Sequence, residues 1–196
     1  LKPKAFIAEN VRGLMSMDGG GALDMIVADL GAIGYQVSFQ LYKAMEWGVP
    51  QTRERVIIVG VRNDIPAFEH SLPDPKRPIV SLKEAIKDLE KKGEGEVSAH
   101  KWSKAKKNIG QGNSICKADK PGPTMRAEHH GNIEFHYSLG RRLSAREAAR
   151  IQSFPDDMEY IPSISAAYKQ IGNAVPPVLA WHVGQALKKH LDKYSK

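Results

Sequence analysis

Val56-Ile57-Ile58-Val59-Gly60-Val61 is an unbroken apolar run, the pattern of a strand covered on both faces. Ala5-Phe6-Ile7-Ala8 is a shorter run of the same kind and ends in Glu9-Asn10. That suits a buried parallel strand with polar residues at its carboxyl end, where α/β sheets collect their ligand chemistry. Between the two, Gly19-Gly20-Gly21 opens a segment in which Leu23, Val27 and Leu30 recur at helical spacing, with Gly34 placed to cap it. Tyr35 to Leu41 alternates like a strand, the turn residues Trp47-Gly48-Val49-Pro50 follow, and a strand is expected from Gln51 to Val61. The first sixty residues therefore predict strand, helix, strand, strand, which is half of an α/β sheet.

From Asn63 to about Gly140 the periodicity weakens. Prolines stand at 66, 73, 75, 78, 121 and 123, a lysine-rich stretch runs from Lys83 to Lys107, and one helix is expected at Ser81 to Lys91. This texture predicts a separate, irregular and basic module. Regularity returns at Ser144-Ala145-Arg146-Glu147, the form of a capping box in which serine and glutamate each satisfy a free N–H at a helix start. That helix should stop at Phe154-Pro155, because proline disfavours helical geometry in the residue before it. A last helix follows Gly172-Asn173-Ala174-Val175-Pro176-Pro177, with Leu179, Val183, Ala186, Leu187 and Leu191 on one face. The expected organisation is a sheet region at 1–62, an inserted module at 63–140, and closing helices at 141–196 that return to the sheet.

Composition adds a partner class. Lys and Arg number 29 against 22 Asp and Glu, giving +7 and a pI near 9.4, which suits a polyanion such as nucleic acid or else a merely basic surface. No window is apolar enough to span a membrane. The single cysteine, Cys116, cannot form an internal disulfide, and His129-His130 lack cysteine partners, so no metal site is expected. These features suit a reducing, cytosolic setting. The chain begins at Leu1 and enters an apolar run almost at once, as if joining a fold midway.

On a continuous strand, Gln51, Arg53 and Arg55 share one face. Two rigid guanidinium forks could clamp an anionic ligand or a base carbonyl, or the same arginines could form salt bridges to sheet carboxylates. Glu9, at an apolar strand end, is in a setting for proton donation at neutral pH, or it pairs with an arginine or caps a turn. Gly19-Gly20-Gly21 lacks the spacing of a phosphate cradle, and Cys116 has no base beside it in sequence.

Taken together and in order, Glu9-Asn10-Val11 after a strand, Gly34-Tyr35, and Gly48-Val49-Pro50-Gln51-Thr52-Arg53-Glu54-Arg55 resemble the second half of the catalytic domain of DNA cytosine-5 methyltransferases of the restriction-modification type. The stretch from Arg141-Arg142-Leu143-Ser144 to Ser153-Phe154-Pro155-Asp156, and Tyr168-Lys169-Gln170-Ile171-Gly172-Asn173-Ala174-Val175, are similar to that family's two closing motifs. The resemblance implies an α/β fold, the second half of a Rossmann-like S-adenosylmethionine-dependent methyltransferase sheet. It makes 1–62 catalytic, 63–140 an inserted target-recognition domain and 141–196 the return to the catalytic domain. It also implies the reaction: a cytosine flipped out of double-stranded DNA takes a methyl group at carbon 5. In that scheme Glu9 bonds ring nitrogen 3, Asn10 holds the strand end, and Arg53 and Arg55 grip the base carbonyl and nearby phosphates. Asn173, Ala174 and Val175 border the cofactor, and Gln51 braces the arginines and, with Thr124, Arg126 and Arg141, is a candidate for DNA contact.

The family's Phe-x-Gly-x-Gly cofactor loop and Pro-Cys-Gln nucleophile occur nowhere in the chain, and Cys116 follows Ile115 after the Glu9 motif rather than before it. The expectation is therefore a carboxy-terminal part of a cytoplasmic, DNA-associated enzyme that is inactive alone and needs an amino-terminal half or companion subunit. The alternative is a non-catalytic, sequence-specific DNA-binding module derived from such an enzyme.

Overall fold

The computed structural model of the chain describes residues 1–106, 113–127, 134–161 and 163–194; His129 and His130 lie outside them. The regular elements are β1 (Ala5–Val11), α1 (Gly21–Ala32), β2 (Tyr35–Lys43), β3 (Glu54–Arg62), α2 (Leu82–Ile86), α3 (Ala145–Ile151), α4 (Ile164–Asn173) and α5 (Pro177–Tyr194). They divide into two compact units. The first comprises Leu1–Lys43, Glu54–Pro75 and Ala180–Lys196, and the second Ala44–Arg53 and Lys76–Leu179.

In the first unit the strands form one sheet in the order β1-β3-β2, both pairs antiparallel. β3 is central, and Val56 to Val61 are buried without interruption, which explains its unbroken apolar run. α1 covers one face, packing Leu23 with Val56 and Ile58 against the flanks of Ile26, Val27, Val37 and Leu41. Gly34 stops α1 at a φ of 100°, a left-handed position glycine adopts without steric cost. The expectation of a parallel arrangement is corrected. β1 and β2 run the same way across the α1 crossover, but β3 lies between them and opposes both, and hydrophobic periodicity carries no information on strand direction. β1 is also an edge strand with Ile7 and Val11 exposed.

The second unit holds the irregular stretch together with α2, α3 and α4. Its core joins Leu82 and Ile86 of α2, Met125, Leu143, the Ala148-Ala149-Ile151 side of α3, and Ala167, Tyr168 and Ile171 of α4. The capping box expected at Ser144 is present, with Glu147 N–H donating to Ser144 Oγ at 3.0 Å and Ser144 N–H to Glu147 Oε2 at 2.7 Å. A second capping box, Ser81 with Glu84, starts α2. The expected division of the chain changes here. Most of 141–196, including α3 and α4, belongs with the irregular stretch, and only the residues from Ala180 onward belong with the sheet. No described helix is long and apolar enough to cross a membrane.

Candidate active site

β3 begins at Glu54, so Gln51 and Arg53 precede the strand and the expected three-residue comb does not form. Gln51 instead makes an isolated bridge to Gly122, which ends the extended pairing before the sheet begins. The three side chains part company, and each finds a different kind of partner.

Arg55 stays in the first unit. Its Nε lies 2.6 Å from Glu9 Oε1, with the two side chains 13% and 24% exposed, so the pair is sheltered but reachable. The antiparallel register makes this possible: Val11 faces Arg55 and Glu9 faces Ile57, which puts Glu9 and Arg55 on a diagonal between adjacent strands. Arg55 Nη1 also donates to the Glu54 carbonyl at 2.8 Å. Asn10 Oδ1 accepts from Val11 N–H at 2.8 Å at the strand end. Arg12 pairs with Glu54 at 2.9 Å beside it. The arginine partner left open for Glu9 is therefore Arg55, and the pair sets a carboxylate against a guanidinium at a strand end.

Arg53 belongs to the second unit and is only 1% exposed. Its Nη1 donates to the Met125 carbonyl at 2.9 Å and its Nη2 to the Gly172 carbonyl at 3.0 Å. Gln51, fully buried, accepts from Met125 N–H at 3.1 Å and donates to the Ile151 carbonyl and to Gln152. Gln152 in turn donates to the Ile171 and Ala174 carbonyls at 2.9 and 2.7 Å. The expected DNA contact at Gln51 is thus corrected, because its amide is enclosed and fully engaged. Gln51, Arg53 and Gln152 together tie the Pro123–Ala127 segment to the turn between α4 and α5.

That network places the remaining candidates. Thr124 is half-buried and Arg126 exposed on either side of the pinned Met125. Asn173 is exposed at the end of α4, followed by half-buried Ala174 and Val175. The carbonyls of Ile171, Gly172 and Ala174 in this turn accept from Gln152 and Arg53. Gly172 is tight against this network, since a Cβ there would meet Arg126 and Ala127 backbone atoms at 2.5 Å. Arg141 stands apart from it. Its fork donates to both oxygens of Glu147 at 2.8 Å, and its side chain keeps 13% exposure.

Glu147 is fully buried. Burial pushes its carboxyl up, but the Arg141 fork and the Ser144 N–H more than offset this and hold it below the ordinary carboxylate range. His100, whose Nδ1 is 2.9 Å from Ser144 Oγ, and His136, 3.8 Å from Glu147, are both held below the usual imidazole value by burial. Burial, with the negative charge of Glu134 and Glu147, pushes the Cys116 thiol up to about 12, which makes it a poor nucleophile. Among the described residues no group of three or more His, Cys, Asp or Glu is placed to hold a metal ion.

The sequence reading did not single out Gln152, whose one signal was a polar residue directly after the last apolar position of α3. It also did not assign Trp102 and Lys104, which stack 4.6 Å apart in the irregular unit.

The family model described as C-5 cytosine-specific DNA methylase matches residues 1–120 and 94–189. Type II methyltransferase M.BspRI of Lysinibacillus sphaericus is 36% identical across 100% of this chain and 53% of its own length. Type II methyltransferase M.BsuRI of Bacillus subtilis is 34% identical across 98% of the chain and 51% of its own length. The chain thus spans about half the length of these curated relatives. Among solved structures, the S. pombe Dnmt2 methyltransferase superposes with a TM-score of 0.64 at 15% identity, covering 99% of this chain and 66% of that one. An E. coli prophage protein described as a DNA modification methyltransferase gives 0.74 at 20% identity, covering 98% and 71%. At these identities the structures speak to the fold alone.

Proposed function

The chain belongs to the C-5 cytosine-specific DNA methylase family, and on that premise we propose that it is the part of a DNA cytosine-5 methyltransferase that holds the flipped target base, acting with an amino-terminal complement. The observation that carries this reading is the sheltered but reachable Glu9–Arg55 pair at the end of β1 and start of β3. The two side chains meet at a strand end where a ligand can still reach them.

The chemistry suits cytosine. Nucleophilic addition at ring carbon 6 makes negative charge that spreads to nitrogen 3 and the exocyclic oxygen. Glu9 holds a proton at nitrogen 3, and Arg55 orients Glu9 while offering N–H donors to the oxygen, so both stabilise charge where it develops. Asn10 fixes the backbone at the strand end. Arg53 and Gln51 act at one remove, as positioning residues that hold the segment carrying Thr124 and Arg126 and the turn carrying Asn173. S-adenosylmethionine, when bound, supplies the methyl group. Asn173, Ala174 and Val175 border its methionine part, and residues within 63–140 face the DNA bases.

The proposed need for a complement rests on two observations. The chain contains no Pro-Cys motif, and Cys116 follows Ile115. β1 presents an edge with Ile7 and Val11 exposed at 46% and 51%, and an apolar edge of this kind invites a further strand. A cytoplasmic, DNA-associated setting goes with this reading. Labelled methyl transfer from S-adenosylmethionine to duplex DNA tests it. Transfer is expected only when the chain is combined with an amino-terminal half carrying the Pro-Cys motif; transfer by the chain alone, or none from the combination, contradicts it.

A further inference from the structure

The second unit carries a basic groove of about 390 Å³ lined by Trp102, Ser103, Lys104, Lys106, Phe135 and the two arginines 141 and 142. Trp102 to Lys106 line one side of it, and hydrogen bonds hold the backbone at both ends of that segment. Ala145 N–H donates to the Lys101 carbonyl at 2.9 Å, and Trp102 bridges to Ser144. Buried Arg142 then donates Nε to the Ala105 carbonyl at 2.9 Å and Nη2 to the Lys106 carbonyl at 3.0 Å. A solvent-facing run rich in lysine is ordinarily mobile, whereas this one is presented on a fixed backbone.

The charges divide by depth. Arg141 is neutralised by Glu147 and lies 4.2 Å from the Trp102 ring. Arg142 lies 4.5 Å over Phe135 and directs donors to carbonyls. The two arginines therefore build the groove, and the lysines furnish its accessible charge: Lys104 is 68% exposed, with its ammonium 4.6 Å from the same Trp102 ring, and Lys106 is exposed. Lys104 pairs with Glu94 at 2.6 Å across a largely solvated contact, and an exposed pair of this kind exchanges readily for another anion. An ammonium is a compact, hydrated point charge without arginine's planar fork, and it suits a phosphate oxygen.

We infer that Lys104 and Lys106, fixed by Arg142 and the Trp102–Ser144 bridge, contact backbone phosphates of the substrate duplex, holding DNA irrespective of sequence. This rests on the reading of the chain as part of a DNA methyltransferase and adds where, and in what manner, the DNA is gripped. The test is equilibrium binding of the full chain to fluorescent duplexes of two unrelated sequences across a range of NaCl concentrations. Lys104→Gln/Lys106→Gln should reduce the slope of log K against log salt by about 2, near 0.9 for each lost phosphate contact, and equally for both duplexes. Lys104→Arg/Lys106→Arg should keep the wild-type slope. A charge-matched pair on α5, Lys188→Gln/Lys189→Gln, should leave the slope within about 0.3 of wild type, well below one contact. An unchanged slope in the first variant, an equal fall in the α5 pair, or weakening on one sequence only would each overturn the assignment. The readout needs no methyl transfer, so failure of the complementation experiment would overturn the methyltransferase reading without altering this result.

Discussion

Arg53 and Arg55 stand two residues apart and do opposite things. Arg53 is buried in the second unit and donates to the carbonyls of Met125 and Gly172. Arg55 is in the first unit, where it faces the carboxylate of Glu9 at a reachable strand end. The difference teaches that the partner decides the role. A guanidinium on carbonyls fixes backbone from distant parts of the chain, and Arg146 repeats the pattern on Ser98, Pro155 and Met158. The Arg55 guanidinium instead pairs with a carboxylate at a reachable strand end, a setting that the fully buried Glu147 paired with Arg141 lacks.

The comparison breaks most readily at Arg55. Arg55→Met in the complemented enzyme should lower methyl transfer by about 10²–10³-fold, the cost of removing one donor to developing charge, while the unfolding midpoint moves little. If the midpoint collapses and the rate per folded molecule does not change, the two arginines share one role. Arg53→Met should do the reverse. Two buried carbonyls lose charged donors, so urea denaturation should show a loss of about 3 kcal/mol or more.

A smaller effect sharpens the same contrast. Gly172→Ala forces a methyl against the Arg126–Ala127 backbone at 2.5 Å, and overpacking of this kind costs about 1–3 kcal/mol. The loss should be visible in the same denaturation measurement and should raise KM for cofactor, because the α4–α5 turn must shift.

The smallest predicted effect is the part of the pH slope that the second unit's buried histidines contribute. His100 and His136 have folded-state values lowered by burial, so the unfolded chain takes up their protons first. Their stabilisation is present above about pH 6.5 and is lost as pH falls below it, at no more than about 1.4 kcal/mol per pH unit for each. Thermal midpoints at pH 7.5 and 5.5 should differ in the wild type, and His136→Gln should flatten the difference.

Much of the frame was legible from local pattern. The run at β3 is buried throughout, the capping box at Ser144 forms as its S-x-x-E spacing requires, and Leu179, Val183 and Leu187 of α5 are buried as their helical spacing predicts. These depend on neighbours within a turn or a pleat. The start of β3 and the fate of Arg53 were not legible, because Met125 and Gly172 lie 72 and 119 residues further along the chain. Nothing in Gln51-Thr52-Arg53 reveals that two of its side chains face inward onto backbone so remote. The antiparallel order was hidden for a similar reason, since an apolar run looks alike in either direction. For Glu9, local sequence could name the options and only the register of β1 with β3 could choose among them.

The proposed role of Glu9 is to serve the reacting base. Single-turnover methyl transfer by the complemented enzyme carrying Glu9→Gln, measured beside its unfolding midpoint, tests this most directly. The rate should fall by about 10²-fold or more with a midpoint close to wild type; a rate equal to wild type would rule out that role for Glu9.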